Sequence, residues 1–290
     1  MKKIIENVFA RPAAAGMVGD GFRVYQYFPG PRSFFPQKIS PFLMLDFNAE
    51  IDFSPSDTVR GVGVHPHKGF ETVTVAYKGA VAHGDSAGNS GVINAGDVQW
   101  MTAGSGILHK EHHDEAYSRK GGPFEMVQLW VNLPKKFKQT PAKYQAITDD
   151  DMGRALLADN GGYVRVVAGD FNGVKGPAFT FTPINMFDIR LNKSGNLTTS
   201  IPASHNTAIL VVNGDVEVNG EHAPEHSFVL FRNEGEEVAI KANENSVLLF
   251  LSGEPIKEPV ASYGPFVMNT QEELLEAMQE FNSGKFGTLE

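Results

Sequence analysis

Four side chains in two short segments have the types and the spacing of a metal site. His65 and His67 lie two residues apart, and so do His109 and Glu111. Residues i and i+2 of a strand point to the same face, so each pair would direct both side chains into one interior. Two such pairs on facing strands would surround a divalent ion with three imidazole nitrogens and one carboxylate oxygen. This set leaves two positions open on a six-coordinate ion, as activation of a small molecule requires.

An isolated His-x-His pair is also compatible with hydrogen-bonded structural histidines, so the surrounding sequence matters. Six of the nine histidines lie between residues 65 and 113, and glycine-rich stretches flank both pairs. The sequence contains no cysteine, which excludes disulfides, cysteine nucleophiles and thiolate ligands. A metal would therefore have nitrogen and oxygen ligands, which suit iron, nickel, copper, manganese or zinc.

The elements that must position these side chains are predicted to be strands. Short apolar runs, such as residues 71–77 and 246–251, recur between turn residues at roughly ten-residue spacing, a pattern typical of sandwiches and barrels. The chain has 290 residues, which fits one large or two medium domains. A strand, a glycine turn and a second strand occur at residues 73–81 and again at 209–216, which favours two similar halves.

Helix signals are few, and the clearest lies near the C-terminus. Thr270 and Glu273 form a capping box, and Gly284 follows the predicted end of the helix. The apolar stripe between them consists of Leu274, Leu275, Met278 and Phe281. A weaker pattern predicts another helix that starts at residue 148 and includes Leu156 and Leu157.

Charge and hydropathy exclude some classes of protein. The net charge is −9 without a long basic run, which argues against direct nucleic-acid binding. Residues 1–6 do not supply the apolar stretch of a signal peptide, and no apolar run approaches the ~20 residues that span a bilayer. We therefore expect a cytoplasmic protein.

Three segments around the candidate ligands resemble the pirin family, whose members are bicupins of the cupin superfamily. They are residues 65–72 (HPHKGFET), 96–104 (GDVQWMTAG) and 106–111 (GILHKE). Residues 41–46, 128–133 and 263–270 resemble the same family, and the similarity extends from about residue 20 to 282. Gly104 stands where many cupins have proline. The resemblance implies an all-β fold of two tandem cupin-type (jelly-roll) barrels with a C-terminal helix.

The family resemblance also implies a division of the chain into two domains. Residues 1–140 would form an N-terminal metal-binding cupin barrel, and residues 141–290 a C-terminal cupin barrel without metal, plus the helix. Aligning Gly214 with Gly79 places Ser200 and Pro202 opposite the first two histidines, so no metal is expected in the second half.

In the pirin pattern, the ligands would be His65, His67, His109 and Glu111, around one divalent ion that is commonly Fe(II). Many other cupins use the glutamate at position 71 as a ligand. Here Glu71 would instead fix the tautomer of a histidine, and its joining or replacing Glu111 as a ligand stays open. Nickel, copper, manganese and zinc are the alternative metals.

Two functions follow from the resemblance. Family members resemble quercetin 2,3-dioxygenases, which implies O2-dependent ring cleavage of a small aromatic, flavonol-like substrate. Glu111 or Glu71 would then be catalytic, as acceptor of a proton from the substrate hydroxyl. The alternative is a regulator without turnover, which senses redox or metal state and binds a protein partner in transcription or metabolism. A metal-dependent scaffold is a third possibility.

Other conspicuous side chains are predicted to have structural roles. Trp100 and Trp130 are expected in the core. His83 is expected to be a structural residue or to lie at the rim of the barrel. His112 and His113 are expected to be solvated loop residues, although one of them could assist proton transfer at the mouth of a pocket.

Overall fold

The computed structural model describes residues 1–29 and 36–290, and the chain divides into two compact units. The first barrel contains the segment that begins at Ala14, together with Phe42–Asp149 and Ile256–Glu290. The second barrel contains Met1–Ala13, the segment that ends at Pro41, and Asp150–Pro255. Strands dominate both units, so the predicted all-β fold with two tandem barrels is confirmed.

The strands and helices are numbered here in chain order. The strands are β1 (Ile5–Phe9), β2 (Gly16–Val18), β3 (Phe22–Phe28), β4 (Phe42–Phe53), β5 (Gly61–His67), β6 (Phe70–Lys78), β7 (Ala80–Asp85), β8 (Ser90–Asn94), β9 (Val98–Thr102), β10 (Ile107–His113), β11 (Gly122–Asn132), β12 (Lys143–Ile147), β13 (Gly153–Leu156), β14 (Gly162–Ala168), β15 (Asp170–Phe171), β16 (Val174–Lys175), β17 (Ile184–Leu191), β18 (Asn196–Ser200), β19 (Asn206–Asn213), β20 (Val216–Val218), β21 (Glu221–Ala223), β22 (Phe228–Phe231), β23 (Glu237–Ala242), β24 (Ser246–Gly253), β25 (Ala261–Tyr263) and β26 (Phe266–Met268). The helices are α1 (Pro36–Ile39), α2 (Glu115–Lys120) and α3 (Gln271–Asn282), with short 3-10 turns at Lys135–Phe137, Asp149–Asp151 and Ala158–Asn160.

The two units differ from the predicted division at residue 140. The first residues of the chain belong to the second barrel, and the last residues belong to the first barrel. Strand β1 pairs antiparallel with β22, which places the N-terminus in the second barrel. The segment from Ile256 onward, including α3, belongs to the first barrel. The division of the structure therefore differs from the linear one at both termini, because strand pairing joins residues that are distant along the chain.

The C-terminal helix forms as predicted, whereas the helix predicted from residue 148 is wrong. The Thr270 hydroxyl accepts a hydrogen bond from the Glu273 amide at 3.2 Å, which caps the first turn of α3. Asp149–Asp151 forms only a 3-10 turn, and β13 follows it. Leu156 pairs with Tyr163 of β14 and is 85% exposed, so strand pairing replaces the expected apolar face of a helix. Within the described residues, no helix has the length and apolar character needed to cross a membrane.

The first barrel is built from two antiparallel sheets. Their strand orders are β12-β9-β6-β11-β4-β3-β2 and β5-β10-β7-β8. Apolar side chains from both sheets pack between them, including Val24 and Ala76 from one and Val81 and Ile93 from the other. This core leaves the interior beside β5 and β10 to the polar side chains described below.

The second barrel repeats the two-sheet plan with a different interior. Its sheets run β1-β22-β19-β24-β17-β14-β13 and β18-β23-β20-β21. A continuous cluster of buried aliphatic and aromatic side chains lies between them, with Phe187 and Phe250 from one sheet and Val216 and Ile240 from the other. Close apolar packing of this kind stabilises the fold.

Candidate metal centre

Three histidines meet because β5 and β10 are antiparallel neighbours. His109 pairs directly with His65, and His67 lies two residues farther along β5 on the same face. One nitrogen from each of the three rings lies within 4.8 Å of the other two. The ring centroids are 4.2 Å apart for His65 and His109, and 4.6 Å apart for His67 and His109. The strands thus assemble a histidine triad that can bind a metal ion.

The hydrogen bonding of the triad leaves ring nitrogens for an ion. His67 Nδ1 and both ring nitrogens of His109 are buried without a hydrogen-bond partner among the described residues. An unpaired buried polar atom costs on the order of 1–3 kcal/mol, which coordination of a cation would offset. His65 Nδ1 hydrogen-bonds the Gly63 carbonyl at 2.8 Å, so His65 Nε2 remains as the ligand atom. The donor set therefore fits a divalent metal.

Burial also sets the protonation state of the triad. It lowers the pKa of His67 and of His109 well below the usual value for histidine, and the neighbouring histidines lower both pKa values further. Both rings are consequently neutral at physiological pH, which is the form of imidazole that binds metals.

Glu111 lines the cavity that His65 and His67 also line, but it is not part of the triad. The Thr74 hydroxyl and the Gln128 amide donate to its carboxylate oxygens at 3.5 and 3.4 Å, both long for hydrogen bonds. The register of β10 with β5 shifts between His109 and Glu111, with the extra residue on β5, whereas β10 itself alternates regularly and keeps both side chains on one face. Burial raises the pKa of Glu111, and His65 opposes this. The fourth ligand therefore stays a prediction.

Glu71 points away from the triad. Its neighbour Phe70 contacts His67 with a ring-centroid distance of 5.0 Å, and successive residues of a strand face opposite sides. The Glu71 carboxylate instead accepts a 2.7 Å hydrogen bond from the Thr102 hydroxyl. Burial raises the pKa of Glu71 to about 7. This orientation argues against the predicted roles of Glu71 in ligation, tautomer control and proton transfer.

A cavity of about 420 Å³ is lined by His65, His67 and Glu111, and its size is typical of small-molecule sites. Its apolar walls include Phe22, Met44 and Trp130. The Trp130 ring lies 5.4 Å from the His67 ring and 4.3 Å from the Phe70 ring. The prediction that Trp130 belongs to the core is therefore wrong, because this half-buried ring forms part of the cavity wall.

A row of polar side chains crosses the cavity wall and was not predicted as part of the site. Gln26 pairs with Asp46, Asp46 with Gln128, and Gln128 with Thr74, across β3, β4, β11 and β6. Asp46 Oδ1 is buried without a hydrogen-bond partner among the described residues. Burial raises the pKa of Asp46 to about 6, although a hydrogen bond from Gln26 opposes this. A signal was present in the sequence, since Asp46 interrupts an otherwise apolar run at residues 42–47.

Comparison with known proteins identifies the family to which this architecture belongs. A sequence profile described as Pirin matches residues 21–131, and one described as Pirin C-terminal cupin domain matches residues 186–287. A Pseudomonas aeruginosa protein named "Putative quercetin 2,3-dioxygenase PA2418" is 45% identical over 286 residues, which cover 99% of each chain. The chain belongs to the pirin family.

Solved structures agree with the pirin assignment. A crystal structure of quercetin 2,3-dioxygenase from Acinetobacter baumannii matches with a TM-score of 0.95 and 45% identity, over 100% of both chains. The bacterial pirin YhhW from Escherichia coli, in complex with nickel(II), matches with a TM-score of 0.65 and 22% identity, over 86% of this chain and 100% of that one. Both barrels are therefore cupin domains of a pirin.

Three further histidines of this pirin lie near the site without joining the triad. His83 is buried, and its Nε2 lies 2.6 Å from the Tyr144 hydroxyl. His112 and His113 belong to β10 rather than to a loop, so their predicted placement is wrong. His113 is buried, with Nε2 2.9 Å from the Gly21 carbonyl.

Proposed function

We propose that this pirin-family chain is a metal-dependent dioxygenase that cleaves the ring of a flavonol-like aromatic substrate with O2. The observation that carries the proposal is the histidine triad, with its unpaired ring nitrogens, beside a cavity of small-molecule size. The relatives named as quercetin 2,3-dioxygenases, at 45% identity, support this type of reaction.

His65, His67 and His109 would hold the metal, and we propose Glu111 as a fourth ligand or as the group that accepts the substrate proton. The bound metal would lower the pKa of a coordinated hydroxyl and provide the redox chemistry for O2. We infer Fe(II) as the ion, with nickel, copper, manganese and zinc as alternatives. The nickel(II) complex of YhhW supports nickel as one of these alternatives.

The cavity wall provides recognition of an aromatic ring that carries hydroxyl groups. Trp130 and Phe22 offer faces and edges against which a planar substrate can pack. The unpaired Asp46 Oδ1 and the amide of Gln26 can exchange hydrogen bonds with substrate hydroxyls. The apolar remainder of the wall excludes water from the reacting ring.

Glu111 has the properties of a proton acceptor within this cavity. Burial raises its pKa, so its carboxylate is a stronger base than an exposed glutamate. The hydrogen bonds from Thr74 and Gln128 are long, so they leave its oxygens accessible to a substrate hydroxyl. A substrate hydroxyl directed at the triad would therefore have a base nearby.

The test is an aerobic flavonol assay on protein purified without a nickel column, stripped of metal and reloaded with one ion at a time. We expect loss of flavonol absorbance, with matching O2 consumption, for at least one ion. His67→Ala should abolish turnover, whereas Glu71→Gln should retain it, because Glu71 is equally buried but faces away from the triad. Absence of flavonol turnover with every ion would refute the proposal.

A further inference from the structure

The segment of residues 263–290 contacts the chain beside both strands that carry the triad. It contains β26 and α3, and its first part, residues 263–270, is one of the pirin-like strings without a role in the proposed reaction. We propose that this C-terminal segment positions the histidine triad, so that metal affinity and coordination geometry depend on contacts made by residues 263–290. The proposal rests on the metal site of the proposed function.

The first group of contacts lies next to His67 on β5. The Lys68 amide donates to the Pro265 carbonyl at 3.2 Å, and the Val267 amide donates to the Lys68 carbonyl at 3.0 Å. The Pro265 backbone also hydrogen-bonds the His67 ring, whose Nδ1 has no partner among the described residues. A backbone carbonyl on one ring nitrogen fixes the tautomer and the orientation of a metal-binding histidine.

Gly69 shows how closely this strand follows β5. Its φ is +87°, and a Cβ added there would lie 2.0 Å from the Val267 carbonyl oxygen. Any side chain at position 69 would therefore push β26 away from the turn that follows His67. The close approach requires glycine.

The second group of contacts is made by the Lys68 side chain, which is 1% exposed. Its Nζ donates to the Ser105 carbonyl at 2.5 Å and pairs with a Glu280 carboxylate oxygen at 3.0 Å. Lys68 therefore connects the end of β5, helix α3 and the turn that leads into β10. Loss of the Glu280 charge would leave a buried ammonium with one fewer partner, which destabilises its position.

The third group lies next to His109 on β10. The Phe286 ring covers Gly106 so closely that a Cβ there would lie 2.2 Å from a ring carbon. The Phe286 carbonyl accepts from the Ser86 hydroxyl at 2.5 Å, and the same hydroxyl accepts from the Leu108 amide at 3.0 Å. Leu108 precedes His109, so the segment also restrains the second strand of the triad.

The segment thus fixes the backbone on both sides of the triad. A functional metal site needs ligands held to within about 0.5 Å of their working positions. Contacts at Lys68 and Leu108 act through the adjacent histidines, so the residues of the segment are positioning residues and need not touch the ion.

The experiment is a Co(II) titration of the metal-free, full-length protein by calorimetry, with the visible absorption spectrum of bound Co(II) as a second readout. Glu280→Gln removes the charge at nearly constant size, and Phe286→Ala removes the ring over Gly106. Glu276→Gln, on the exposed face of the same helix, is the matched control. Thermal unfolding of each metal-free variant measures folding separately.

We expect Glu280→Gln and Phe286→Ala to weaken Co(II) binding about 10- to 100-fold, as loss of outer contacts typically does, and to alter the Co(II) spectrum. Glu280→Asp should restore part of the affinity, and Glu276→Gln should match the wild type. Wild-type affinity and spectrum in both Glu280→Gln and Phe286→Ala would overturn the positioning role while leaving the triad as a metal site. Should Phe286→Ala fail to fold, the Glu280 series alone decides. Failure of the wild type itself to bind Co(II) would overturn the metal site, and the positioning role with it.

Discussion

Replacing Asp46 by asparagine tests whether the cavity holds a carboxylate at the expense of stability. Asp46 is 6% exposed, and its Oδ1 has no partner among the described residues. Burial raises its pKa from an ordinary 3.8 to about 6. An asparagine side chain at this position would have nearly the same shape without a charge to bury.

The size and sign of the effect follow from proton linkage. A pKa that rises from 3.8 to about 6 corresponds to roughly 3 kcal/mol, since each pKa unit is worth about 1.4 kcal/mol. The folded state binds the proton more tightly than the unfolded state, so the free energy of unfolding falls as the pH rises from 3.8 to about 6. Above that range Asp46→Asn should be more stable than the wild type by up to ~3 kcal/mol, and below about pH 4 this advantage should disappear.

The assay is urea unfolding of the metal-free protein at pH 4.0 and pH 7.5, because a bound cation would itself stabilise the Asp46 carboxylate. Asp52→Asn is the matched control, since Asp52 lies on the same strand with an exposed side chain. A stability difference for Asp46→Asn that is equal at the two pH values would refute the reasoning. A variant that is more stable but binds flavonol more weakly would indicate that Asp46 serves ligand binding.

Three further substitutions test other parts of the structure. In denaturant titrations, Ni(II) at 100 times its Kd should raise the free energy of unfolding of the wild type by about 2.7 kcal/mol. The His109→Ala variant should not be stabilised. Equal stabilisation of both proteins would mean that the ion binds elsewhere. Glu71→Gln should retain one Ni(II) per chain by elemental analysis and, because burial raises the pKa of Glu71 to about 7, should gain about 3 kcal/mol of stability above pH 8. A reduced metal content would contradict the outward orientation of Glu71. Leu248→Ala, in the core of the second barrel, should lower the free energy of unfolding by about 2–5 kcal/mol, as measured with urea. The variant should keep its metal at low denaturant. A loss of metal there would argue against a site in the first barrel alone.

The histidine pairs were predictable because they depend on local rules. Alternation along a strand places His65 and His67 on one face, whatever the length of the connection to β10. Helix α3 was equally predictable, since the Thr270 cap and the following apolar positions are all local in sequence. Features of this kind require only the period of the element and the chemistry of its ends.

The direction of Glu71 was not predictable from the sequence. Residues 70–77 of β6 are all buried, and polar residues occur on both faces, Glu71 on one and Thr72 and Thr74 on the other, so the pattern does not reveal which side meets the cavity. The register shift of β5 beside Glu111 is a similar case, because it depends on how the two strands pair. The polar row through Asp46 required knowledge of cross-strand register, which links β3, β4, β11 and β6 only after the sheet has formed.

The exchanged termini determine when each barrel can be completed during translation. Strand β1 leaves the ribosome long before β22 and cannot pair until β22 has been synthesised. The segment that contacts Lys68 and Gly106 is synthesised after both strands that carry the triad. Domains generally fold as they emerge, yet the first barrel of this chain lacks these contacts until residues 263–290 have been synthesised. A nascent or prematurely terminated chain would accordingly present all three histidines without the means to hold them in place.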